Sequence, residues 1–337
     1  MQNRVASKIA LAIITIIVVA AVLLVVGPQR IALATERTGD EALAIQLEKH
    51  SESGFHNLTA FTLLDGQATF AGLGSDEHTE VEIGSVTKMF TGELAHQLVE
   101  EGKLKPDTTV GEVLDVGNAP VADVTVRELL DHTSGLPRLA NANLLNDLVS
   151  VLTGSNPYKG ETVEDILAAA TKAKLKNRGE ESYSNLGYGL LGHMLETVAG
   201  QPYEQMLKER IFEPAEMTET YLMAPGSVPE DAPRGLTDTG RHAEPWEMDG
   251  SAPAGAIRST ASDMAKFAAW FINNGDTAYG WQSPSEDKAG YWHNGGTYGY
   301  STMLIIDPET KRAAFANNDS LTGTEDLAQA LFDELAS

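Results

Sequence analysis

The chain has 337 residues, enough for one large domain or two modest ones with a sizeable buried core. Its 48 acidic and 24 basic side chains give a formal net charge of -24, which repels phosphate backbones, so nucleic acid is not an expected partner. It has no cysteine, and this removes disulfides, thiolate metal sites and cysteine nucleophiles.

The first segment is expected to be a membrane anchor or a signal. Ile9 to Gly27 holds no charged residue and is mostly Ile, Val, Leu and Ala, with Arg4 and Lys8 before it. A run of this length is expected to cross a bilayer as a helix, with the basic flank in the cytoplasm and the rest of the chain outside. The second reading is a signal segment cut after Ala34, at the small-residue stretch Ala32-Leu33-Ala34, which would release the domain as a secreted protein. Residues 1–34 are thus expected to be an anchor or signal, and 38–337 the folded domain.

An amphipathic helix is predicted over Thr38–Glu52, with Leu43, Ile45 and Leu47 among acids. LTAFTLLDGQATFAGLG then reads as a hairpin turning at Asp65-Gly66. In EIGSVTKMFTGELAHQLVEEG, the residues Val86, Met89, Phe90, Leu94 and Leu98 recur at helical spacing until Gly102. Thr125 and Glu128 have capping-box spacing ahead of a helix stopped by Gly135 and Pro137. Residues 161–223 are mostly helical in pattern, 224–254 read as a long loop, and ASDMAKFAAWFINNG is helical again. STMLIIDPETKRAAFANND gives two strands around Asp307-Pro308, and TEDLAQALFDELA closes the chain as a helix. Strands at both ends and helices between them predict an α+β fold. Its antiparallel sheet draws on about 38–90 and 250–337, with a helical part at about 91–249.

The chemistry begins at Ser85 and Lys88. Three positions apart on a helix, they share a face, and Lys88 lies among Val86, Met89 and Phe90. Loss of hydration there lowers an amine's pKa, and a neutral amine can take the proton of a serine hydroxyl. A serine at a helix start also has free amide donors nearby. A second Ser-x-x-Lys, Ser285 to Lys288, sits in polar sequence with no apolar neighbours and is set aside. Tyr183-Ser184-Asn185 offers a phenol, which near a cation approaches phenolate character, and an amide able to donate to a substrate carbonyl. His293-Asn294-Gly295-Gly296-Thr297 stands just ahead of a strand, where glycines let a substrate backbone lie close. The Gly296 amide can join that of Ser85 in an oxyanion hole. Trp246 and Trp292 are candidates either for a pocket wall or for packing. The histidines show no metal-ligand spacing.

These pieces, in this order, resemble the serine β-lactamase and penicillin-binding protein superfamily, in its branch of class C β-lactamases, D-alanyl-D-alanine carboxypeptidases and related esterases. VTVRELLDHTSGLPRL, SYSNLGYGLLGHMLETVAG, AGAIRSTASDMAKF and HNGGTYGYSTMLIIDP look like family segments as well. The resemblance implies a β-lactamase/transpeptidase-like fold and no cofactor. It also implies a small-molecule or peptidoglycan-like substrate cleaved through an acyl-enzyme. It assigns Ser85 as nucleophile and Lys88 and Tyr183 as proton carriers. Ser85 and Gly296 would form the oxyanion hole, and Asn185, His293, Asn294 and Gly295 would bind substrate. Asn294 stands where relatives that grip a substrate carboxylate usually carry a hydroxyl, and His293 where many carry lysine.

Overall fold

The computed structural model describes residues 13–17, 27–141, 149–151, 153–285 and 289–336. Of the expected membrane span, Ile13–Ile17 is helical, and residues 9–12 and 18–26 lie outside the described residues. Among the described residues no helix is long and apolar enough to cross a membrane.

Both ends of the chain build one six-stranded sheet. Strands β1 (Arg37–Gly39), β2 (Leu58–Leu64) and β3 (Gln67–Leu73) come from the N-terminal side. Strands β7 (Tyr291–Gly296), β8 (Ser301–Asp307) and β9 (Arg312–Asn318) come from the C-terminal side. The order is β1-β3-β2-β9-β8-β7, with every pairing antiparallel. The Asp65-Gly66 turn forms as expected. Leu64 pairs with Gln67, and both turn residues have positive φ (51° and 80°), the hairpin geometry whose twist suits the flanking strands. Strands β4 (Val81–Glu82), β5 (Tyr221–Leu222) and β6 (Ile257–Ser259) make a second, three-stranded sheet, too short to carry a sequence signal.

The large sheet is covered on both faces, so its central strands read as apolar runs rather than alternations. Phe61, Leu63, Leu304, Ile306 and Phe315 point into the main core. Their neighbours Leu58, Ala60, Met303, Ile305 and Ala314 join a second cluster on the opposite face, following the period of two. That second cluster is closed by helices α1 (Glu41–Lys49) and α10 (Glu325–Glu334), through Leu43, Leu47, Leu327 and Phe332. Helix α1 is shorter than predicted: Thr38 belongs to β1, and Asp40 caps the helix by accepting from the Leu43 amide at 2.9 Å. Ile45 is exposed, so the buried stripe is Leu43, Ala44 and Leu47.

On the main-core side, the expected helix after Ser85 is α2 (Thr87–Glu100), and Val86, Met89, Phe90, Leu94 and Leu98 are all fully buried. Three short elements come after it in the chain: α3 (Val110–Val113), α4 (Val126–Leu130) and α5 (Val163–Lys172). Thr125 and Glu128 form the predicted reciprocal cap of α4. Next come α6 (Asn185–Ala199) and α7 (Tyr203–Leu207), then α8 (Ala252–Gly255) and α9 (Ala261–Asn274). The 224–254 stretch is a loop up to α8, as expected. The HNGG sequence precedes a strand, β8, as expected, and is itself in extended structure. It is the end of the edge strand β7, with Gly296 paired to Ser301.

Upstream of β1 the chain runs along this domain. Gln29 N donates to Thr239 O at 2.7 Å, Arg241 Nη2 to Gly27 O at 3.0 Å, and Ala34 N to His56 O at 2.9 Å.

Candidate active site

Ser85 sits in a 3-10 turn, Gly84–Val86, that leads directly into α2. Gly84 takes a positive φ of 49°, and a Cβ there would lie 2.7 Å from Gly296 N. A Cβ on Gly295 would meet Ile83 O at 2.0 Å and Ser85 N at 3.0 Å. Only glycine permits this approach. The edge of β7 therefore lies backbone to backbone against the serine turn, with Ser85 and Gly296 both lining one cleft.

Lys88, one turn on, is fully buried. Its Nζ lies 3.1 Å from Ser85 Oγ and donates to Ala254 O, in α8, at 2.6 Å. The rings of Tyr183 and Tyr188 lie 4.8 and 5.3 Å away. The carbonyl and the ring faces favour an ammonium, but burial outweighs them. Desolvation first, and the Arg138 charge second, hold the Lys88 pKa well below the usual lysine range.

Tyr183 reaches the same atom from the other side, donating its hydroxyl to Ser85 Oγ at 2.7 Å. The next residue in the chain sets its position. Ser184 caps α6 by accepting from Gly187 N at 2.9 Å and donates to Pro137 O at 2.7 Å. Behind the phenol stands His132, ring centroids 4.3 Å apart, with positive φ (57°) and Nδ1 accepting from Ser184 N at 3.1 Å. Burial first, and then the Lys88, His293 and Arg138 side chains nearby, lower its pKa to about 3, so the ring is neutral and props the tyrosine. The expected phenolate character of Tyr183 is corrected. Burial raises its pKa to about 12 against the opposing pull of Ser85 and Arg138, so the resting group is a phenol and not a phenolate.

The β7 residues divide. Gly295 and Gly296 meet the serine turn. His293 is buried, and its Nδ1 lies 2.6 Å from Asn294 O, which makes Nδ1 the protonated nitrogen. Burial and then Lys88 lower its pKa to about 3, so it is no cation near neutral pH. Asn294 is not brought into the cleft: its amide donates to Glu325 Oε1 at 2.7 Å, on α10. Lys288, of the second Ser-x-x-Lys, lies outside the described residues.

Asn185, the first residue of α6, faces the cleft. Its Nδ2 donates to Tyr158 Oη at 2.8 Å, while its buried Oδ1 has no partner among the described residues. A half-turn of the amide lets the Tyr158 hydroxyl donate to Oδ1 and frees Nδ2 for a substrate carbonyl. The cleft has a volume of about 890 Å³. Tyr158, Trp246 and Tyr298 form one wall, in two successive edge-to-face contacts of 5.2 Å. Trp292 is not part of it; it packs against the opposite sheet face. Sequence reasoning missed Arg138, Tyr158 and Tyr298. Arg138 directly follows the Gly135-Leu-Pro137 turn, but a lone loop arginine carries no periodic signal.

A serine hydroxyl held between a dehydrated amine and a phenol, beside two backbone amides, is the geometry of an activated-serine site on an α+β scaffold. The Beta-lactamase family model matches residues 49–332, and the chain belongs to that family. It is 30% identical over 214 residues to penicillin-binding protein 4 of Amycolatopsis lactamdurans, covering 57% of this chain and 50% of that one. It is 28% identical over 269 residues to penicillin-binding protein 4* of Bacillus subtilis, covering 66% and 57%. The chain therefore spans about half the length of the curated relatives it matches. The fold is shared with a β-lactamase/D-alanine carboxypeptidase of Yersinia pestis at TM-score 0.73 and 20% identity, covering 88% of this chain and all of that one. A class C β-lactamase of Rhodobacter sphaeroides superposes with the same identity and coverage at TM-score 0.71.

Proposed function

We propose that this protein is a serine hydrolase that cleaves an ester or amide through an acyl-enzyme on Ser85. The observation that carries the reading is the convergence on Ser85 Oγ of Lys88 Nζ at 3.1 Å and Tyr183 Oη at 2.7 Å. With Lys88 neutral, the serine hydrogen points to Nζ, the phenol donates to Oγ, and the amine donates to Ala254 O. As Oγ attacks the carbonyl carbon, its proton passes to Lys88. The oxyanion that forms is met by the amides of Ser85 and Gly296. Tyr183 then gives its proton to the departing oxygen or nitrogen and recovers one from Lys88. Water gives a proton to the same pair as it attacks the acyl carbon, and that proton returns to Ser85 Oγ as the acyl group leaves.

The relatives named for penicillin binding and carboxypeptidase activity support a cell-wall peptide or a β-lactam as substrate. The neutral His293 and the tied Asn294 favour a carboxylesterase within the same mechanism. A non-turnover penicillin sensor is the reading outside enzymes. The apolar run 9–27 behind Arg4 and Lys8 supports a single-pass tether with the catalytic domain outside the cell.

The test treats the full-length protein and Ser85→Ala with a fluorophosphonate, a fluorescent penicillin and a short-chain nitrophenyl ester. Labelling and turnover that vanish together in the variant support the hydrolase. Stable labelling without turnover supports the sensor. Labelling that persists in Ser85→Ala would falsify the nucleophile assignment. Protease accessibility on intact cells, with N-terminal sequencing of the mature chain, checks the tether.

A further inference from the structure

Within the cleft one charge stands apart. Arg138 lines it together with Ser85, Asn185 and Trp246, and its guanidinium carbon lies 5.0 Å from the centre of the Tyr183 ring. The residue is not on a loose loop. Its backbone carbonyl accepts from Asn185 N at 2.9 Å and Leu186 N at 3.2 Å, the free amides at the start of α6. The same two bonds that seat the Tyr183–Asn185 segment therefore seat this cation.

The acids that share the cleft are committed elsewhere. Glu161 accepts from the Ser251 hydroxyl, and Asp165 accepts from Thr162 N at 3.0 Å and Thr162 Oγ1 at 3.2 Å. The other cleft cation, Lys159, faces Glu244 at 4.0 Å. Among the described residues Arg138 has no ion pair, in a chain with twice as many acids as bases. Two polar atoms of the cleft lining also lack partners among the described residues: Asn185 Oδ1 and Trp246 Nε1. Across the cleft, β7 supplies no cation, since His293 is neutral and Asn294 is bound to Glu325.

Resting on the hydrolase reading, we infer that Arg138 is a specificity-determining residue that selects substrates with a carboxylate on the Arg138 side of the cleft. The apolar body of such a substrate lies on the wall of Tyr158, Trp246 and Tyr298. The planar fork of arginine suits a carboxylate in two parallel hydrogen bonds, and its stacking on Tyr183 limits the freedom lost when they form.

Binding and turnover test this separately. In Ser85→Ala, tryptophan fluorescence is titrated with 3-phenylpropanoate and with its uncharged amide. The carboxylate is expected to bind about tenfold to a hundredfold tighter, the range for a charge-assisted hydrogen bond. Arg138→Gln is expected to collapse that ratio towards one, and Arg138→Lys to recover part of it. Equal affinity for acid and amide overturns the inference, whether or not the protein hydrolyses anything. In the active protein, kcat/KM is compared for mono-nitrophenyl glutarate and nitrophenyl butyrate. Arg138→Gln should lower the ratio mainly through KM of the acidic ester. An equal fall for both esters assigns Arg138 to holding Tyr183 and rejects the selection of an anion. If neither ester is turned over and the fluorophosphonate does not label, the hydrolase reading fails, while the binding comparison still decides the role of Arg138.

Discussion

Tyr183 donates a 2.7 Å hydrogen bond to Ser85 Oγ across 98 residues of sequence. Because the phenol is held from behind by His132 and beside its own ring by Arg138, it can lose its hydroxyl without losing its place. Tyr183→Phe is therefore expected to fold like the parent and to lose about 10²- to 10⁴-fold in kcat, with a smaller change in KM. Stopped-flow acylation with a nitrophenyl ester measures it. A variant as fast as the parent would remove Tyr183 from the proton path.

Lys88 links activity to pH and stability. Its pKa is lowered in the folded state, so below 10.5 the unfolded chain binds a proton that the native state does not. Stability should therefore rise with pH from the depressed native value up towards 10.5. Denaturant melts across alkaline pH should show this rise, and it should be absent in Lys88→Met. The same lowered pKa sets the acidic limb of the rate profile. Arg138 contributes to the depression, so Arg138→Gln should move that limb to higher pH. Identical acidic limbs would exclude Lys88 as the base.

Gly295 is a steric prediction. An added methyl lies 2.0 Å from Ile83 O, on backbone that has little freedom to yield. Gly295→Ala should push β7 off the serine turn, with a cost of about 1–3 kcal/mol in stability and loss of turnover. Thermal melts and burst kinetics check both. Gly66, where a Cβ meets nothing within 4 Å, is the control; its positive φ leaves only a backbone cost there.

His56 gives an electrostatic prediction away from the cleft. Asp319 accepts from its ring at 2.9 Å and raises the histidine pKa above 6.5. A raised pKa gives stability that is fully present below 6.5 and lost as pH rises through the folded value. The partly exposed pair should be worth under about 1 kcal/mol. His56→Gln should accordingly lower the melting temperature at pH 5.5 and much less at pH 9.

The sequence carried the parts of this fold that are local. Asp65-Gly66 forces a hairpin, Thr125 and Glu128 cap a helix, and the apolar spacing from Val86 to Leu98 buries one face of α2. Ser85, Lys88 and Tyr183 were legible because each falls in a short motif. Of the cleft lining outside the short motifs only Trp246 was named, because Arg138, Tyr158 and Tyr298 come together only through the fold, from three loops with no shared pattern. Protonation was also hidden. The resting states of Tyr183 and His293 derive from burial, which neighbours in sequence do not reveal.

The stretch before β1 bears on maturation. Ala34 is held by its amide to His56, and its methyl sits against Gly74. In the folded domain Ala34 is half-buried, while Thr35 and Glu36 after it are exposed. A cut after Ala34 would take the Gly27, Gln29 and Ala34 hydrogen bonds away from the domain, so the melting temperatures of the two forms should differ.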